Sequence, residues 1–134
     1  MASSLLAGLS ILIIGDSHMA TPNHLIGGLH DDLTRKGANV HSIGICGAHA
    51  GDWLKVSPGG NCGAAERRGK EPAQVLRGKA STTPIKELIA KDKPDLVLIV
   101  IGDTMAGYDK ASFPKAWIWQ QTTSLSKVIG ATGT

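Results

Sequence analysis

The chain's 134 residues, 42% hydrophobic and 19% charged, suit one globular domain with a real core. A net charge of +3 is too weak to mark a nucleic-acid binder, and 4% aromatic residues are too few for a stacked binding platform. The longest apolar runs fall far short of the ~20 residues needed to cross a bilayer. Residues 1–9 lack the positively charged leader of a signal peptide, so an exported form would already have lost its signal.

The first element carries the most information. Ile11-Leu12-Ile13-Ile14 reads as a buried strand running into Gly15-Asp16-Ser17-His18. A turn there lifts the Ser17 hydroxyl over the sheet edge, where open α/β sheets keep their chemistry. A helix starting directly after it would aim its N-terminal amides at an anion forming at Ser17. The plainer alternative is that Asp16 and Ser17 turn the chain and cap a helix.

Residues 24–36 set Leu25, Ile26, Leu29 and Leu33 at helical spacing, with Gly37 where a C-terminal cap belongs. Residues 39–45 alternate as a second strand and lead into Cys46-Gly47. Residues 52–83 have no strong period and are rich in Gly, Pro, Lys and Arg, which predicts a long irregular loop or insertion. Thr83-Pro84-Ile85 opens a second helix reaching about Lys91, with Ile85, Leu88 and Ile89 on its buried face. Residues 96–101 are continuously apolar, as in a central parallel strand covered on both faces, and end in Gly102-Asp103-Thr104. A third helix is expected over residues 114–129, with Trp117 and Trp119 on opposite sides.

This order predicts an α/β fold, a parallel sheet between helices joined by right-handed crossovers. Only three strong strands are present. Such a sheet would expose a long apolar edge, so the fold looks incomplete within this chain.

Cys46 and Cys62 close a Gly-, Pro- and Ser-rich loop. An even count fits a disulfide in an oxidising compartment, hence a periplasmic or secreted protein; two free thiols in the cytosol are the other reading. Of the two, the disulfide is expected. No metal-binding cysteine spacing occurs, and no phosphate- or dinucleotide-binding glycine loop.

Three strand ends converge on one sheet edge: Gly15-Asp16-Ser17, Cys46-Gly47-Ala48 and Gly102-Asp103-Thr104. In motif, order and spacing they resemble the SGNH (GDSL-type) hydrolase superfamily. Gly15-Asp16-Ser17-His18 is similar to its first block, Gly47 falls at the glycine of the second, and Gly102-Asp103-Thr104 at the Gly-x-Asn of the third. The resemblance implies a three-layer α/β/α sandwich with a parallel flavodoxin-like sheet, of which residues 1–134 are the N-terminal portion. It implies a serine esterase in which Ser17 attacks an O-acetyl or other short acyl ester, such as one on an acetylated carbohydrate. The Ser17 and Gly47 amides and the Thr104 side chain would hold the oxyanion. No cofactor or metal is implied.

The chain departs from the pattern at position 104, where Thr replaces Asn, and in lacking the Asp-x-x-His block that supplies the general base. The resemblance therefore places the catalytic Asp and His on a missing C-terminal segment or a second polypeptide that completes the sheet. The competing functions are a noncatalytic glycan- or acyl-binding module and an O-acyltransferase.

Asp16 is expected to brace its turn and is also a candidate substrate contact. His18, His49 and Trp53 are candidate substrate contacts; the bland readings are helix capping for His18 and packing beneath the loop for Trp53. His24, His30 and His41 are expected to be surface or partly buried structural residues. The basic run Arg67, Arg68, Lys70, Arg77 and Lys79 is either solvated or draws an anionic substrate toward the site.

Overall fold

The computed structural model describes residues 5–60, 62–76, 80–102, 105 and 112–134. Its centre is β1 (Ser10–Gly15), which pairs in parallel with β2 (Asn39–Ile45) on one side and with β5 (Leu96–Val100) on the other. Ile11, Leu12, Ile13 and Ile14 in unbroken succession let β1 bury both faces, as a central parallel strand must. Ile11 and Ile13 join a cluster with Ile26 of α1 (Leu25–Arg35). Leu12 and Ile14 face the opposite cluster, shared by Ile85, Leu88 and Ile89 of α2 (Ile85–Asp92) and Leu125 and Ile129 of α3 (Lys115–Ala131). The period-2 alternation of β1 thus assigns α1 to one face and α2 and α3 to the other.

The expected all-parallel sheet is corrected to a mixed one. The stretch over 52–83 supplies two further strands, β3 (Ala64–Arg68) and β4 (Gln74–Leu76), and the order is β4-β3-β2-β1-β5. β3 runs antiparallel to β2, and β4 antiparallel to β3. The fold is an α/β fold with a mixed five-stranded sheet and three helices among the described residues.

Polar contacts fix both ends of this frame. At the start of the strands, Ser10 N donates to the Asp95 carboxylate and Asp95 N to the Ser10 carbonyl, each at 2.8 Å, which sets the β1–β5 register. Beside them His41, buried on β2, faces Asp92 of α2 through Nδ1 and Glu66 of β3 through Nε2, the latter at 2.6 Å. Buried His30 on α1 bonds the Ser42 hydroxyl at 2.7 Å and the Gly69 carbonyl at 2.8 Å. Each histidine ties three segments of chain together. The disulfide Cys46–Cys62 spans 16 residues with a Cα–Cα distance of 5.6 Å and joins the end of β2 to the start of β3.

Candidate ligand site at the strand ends

β1, β2 and β5 all finish at one end of the sheet, where Gly15 aligns with Gly44 of β2 and with Val100 of β5. β1 is followed by α1 on one face, whereas β5 is followed by α3 on the other. Adjacent strands whose connections leave to opposite faces open a crevice at their carboxyl ends, the usual ligand position in such sheets.

Two glycines shape this end. After β1 the chain makes a 3-10 turn, Ser17–Met19, that folds back across the strand ends. A side chain at Gly44 would run into the Met19 backbone, and one at Gly15 would meet the Met19 side chain and the Val100 carbonyl. Glycine at both places lets the turn lie flat on the sheet. The helix expected over residues 24–36 is α1, which begins at Leu25, so Ser17 lies in the 3-10 turn and not in the first turn of that helix.

Asp16 is fully buried, and its carboxylate spans two strand ends. One oxygen accepts from His18 N at 3.1 Å and the other from Gly102 N at 3.3 Å. Asp16 N also donates to the Val100 carbonyl at 3.3 Å. The aspartate therefore holds the β1 and β5 turns in one arrangement, and its burial corrects the expectation that it contacts substrate. Ser17 sits above it, partly exposed, and among the described residues nothing hydrogen-bonds its hydroxyl. On the neighbouring strand end, Gly47 is exposed with φ +82, and its N–H has no acceptor among the described residues. Its left-handed turn is fixed by the adjacent disulfide and by Gly60 N donating to the Cys46 carbonyl at 2.7 Å.

The other candidate residues are placed as follows. His18 is exposed, its ring 6.2 Å from that of His24. His49 caps the 3-10 turn Ala50–Leu54: its N–H donates to Asp52 Oδ2 at 2.7 Å and its ring stands edge-on to Trp117 at 5.0 Å. Trp53 is wholly buried in the α2–α3 cluster, so its ring offers no face to a sugar. Its indole N–H is without a partner among the described residues. Thr104, the expected third oxyanion donor, lies outside the described residues. Among the described residues, no group of His, Cys, Asp and Glu is placed to hold a metal ion.

Of the basic run, Arg67 and Arg68 do not serve this crevice. β3 runs antiparallel to β2, so Arg67 and Arg68 align with Ser42 and His41, toward the opposite end of the sheet. Arg67 is bound to Asp31 at 2.5 Å and Arg68 to Asp92 at 3.4 Å. Arg77 and Lys79 are outside the described residues. What sequence reasoning missed is the crowding of Gly15 and Gly44 against Met19. The glycine at the end of each strand was the available signal.

No helix among the described residues is long and apolar enough to cross a membrane. No family model matches the chain, and no solved structure matches it. Protein BcsX of Komagataeibacter xylinus is 43% identical to it over 131 residues, a match covering 97% of this chain and 50% of that protein. The chain spans about half the length of this relative. These findings overturn the resemblance to the SGNH hydrolases: no family model recognises the chain as one, and the relative it matches over nearly its whole length is named Protein BcsX, not an SGNH hydrolase.

Proposed function

We propose that this chain is a noncatalytic recognition domain for O-acylated carbohydrate that serves cellulose synthesis in the periplasm or outside the cell. One observation carries the reading: among the described residues the Ser17 hydroxyl and the Gly47 N–H, at adjoining strand ends, have no hydrogen-bond partner, and no base is bonded to the serine. Two such donors suit the carbonyl of an acyl ester. A nucleophile would also need a proton acceptor within hydrogen-bond reach. Similarity to Protein BcsX supports the cellulose-synthesis setting, and the Cys46–Cys62 bridge supports export.

The test is amide chemical-shift mapping with an acetylated cello-oligosaccharide and its deacetylated counterpart. The acetylated ligand is expected to shift Ser17, Gly47 and Gly102, and the deacetylated one to leave them in place. Ser17→Ala should weaken binding roughly tenfold, the worth of about one hydrogen bond. Equal response to both ligands would end the acyl reading. Covalent labelling of Ser17 by a fluorophosphonate would replace recognition with hydrolysis or acyl transfer.

A further inference from the structure

We infer that the outer edge of β5 is a docking edge for one more β-strand, parallel to β5 and delivered by polypeptide continuing from α3. Among the described residues β5 pairs with β1 alone, which leaves its other edge without a ladder partner. The strand is Leu-Val-Leu-Ile-Val, yet Leu96 is 42% and Ile99 38% exposed. These two residues lie three apart and so point to opposite faces, which means β5 is uncovered on both sides of its outer edge. Such an edge invites pairing unless a protein blunts it with charge or covers it, and β5 carries no charge. Phe113, just before α3, and Trp119 in its second turn add to the bare surface, 66% and 72% exposed around a cavity of about 580 Å³.

The path of the chain identifies the occupant. α2 leads into β5 on the face that holds Leu12 and Ile14, after crossing β1 from the β2 side. α3 packs into the same cluster. A right-handed crossover that stays on that face continues in the same direction, which puts the next parallel strand beyond β5. The end of α3 is also in the right place. Its 17 residues cover ~25 Å, enough to return along β5. Thr132, Gly133 and Thr134 then share a cavity with Lys93 and Pro94, the residues that lead into β5. Gly133, at φ +87, turns the chain there. Protein BcsX carries about as much chain again outside its match to this one.

Hydrogen exchange on residues 1–134 tests this, alone and with a probe strand appended after Thr134. The probe is a short Gly-Ser turn and a second copy of Ser10–Gly15, the strand β5 already pairs with in parallel. In the free chain the outward amides of β5 should exchange about a hundredfold faster than its inward ones. The appended strand should slow them about tenfold or more, and Ile99→Lys should cancel that gain. The same strand added as a separate peptide provides a second arm should the fusion misfold. Outward amides already protected in the free chain would overturn the inference, and protection rising with concentration would assign the edge to a second copy instead. Amides that neither the fused nor the free strand slows would overturn the inference as well.

Discussion

At the scale of single residues, the buried histidines are the sharpest consequence of the fold. His30 is desolvated on α1, and burial holds its pKa below the ordinary value of 6.5, with the Arg67 charge acting in the same direction. The unfolded chain then binds the proton more readily than the folded one. Stability linked to His30 is fully present above about pH 6.5 and falls as pH drops below it. Denaturant midpoints at pH 8 and pH 5 should therefore separate further in the wild type than in His30→Gln, which keeps polar contacts but does not titrate. Equal separations would show that this ring does not set the acid response. His41 acts differently, since its two ring nitrogens hold Asp92 and Glu66 together. His41→Leu leaves two carboxylates without that partner, one of them only 11% exposed. A loss of about 2 kcal/mol is expected in urea unfolding, discounted because Glu66 is one-third exposed.

At the scale of elements, what could be seen in the sequence depended on whether a segment's burial was written in its own pattern. β1, β2, β5 and the three helices bury apolar residues at period 2, continuously, or at period 3.6, and each was expected within a few residues of its place. β3 could not be found this way. Ala64-Ala65-Glu66-Arg67-Arg68 has neither alternation nor bulk, and it is a strand because it pairs with β2 and because Arg67, Glu66 and Arg68 find partners there. Its partner β4 is three residues long. In the site, Asp16 as a brace was legible from its turn, whereas the burial of Trp53 depended on how far the loop folds under. The disulfide anchors this unpatterned hairpin, so reduction should be felt there first. Opening the Cys46–Cys62 bridge is expected to cost about 3 kcal/mol in the chain-entropy model. It should raise exchange in β3 and around Gly47 before β1. Uniform loosening would instead make the bridge a global staple.

At the scale of the whole molecule, the three strand ends, the Ser17 turn and the disulfide loop meet in one place, so ligand binding there should couple to global unfolding. Gly44 is the hinge of that coupling: any side chain on it meets the Met19 backbone and must lift the turn that carries Ser17. A ligand that binds only the folded state at a hundred times its dissociation constant adds about 2.7 kcal/mol. For a domain of this length that corresponds to a rise of roughly 10 °C in melting temperature. An acetylated cello-oligosaccharide should produce such a shift in the wild type. Gly44→Ala should lower the starting melting temperature and lose most of the ligand-induced rise, because the displaced turn no longer presents Ser17 beside Gly47. Glycine-to-alanine change at exposed Gly28, where a Cβ meets nothing within 4 Å, is the matched control and should keep the full rise. A Gly44→Ala protein that is destabilised yet keeps the whole ligand shift would separate the crevice from binding and move the ligand elsewhere on the molecule.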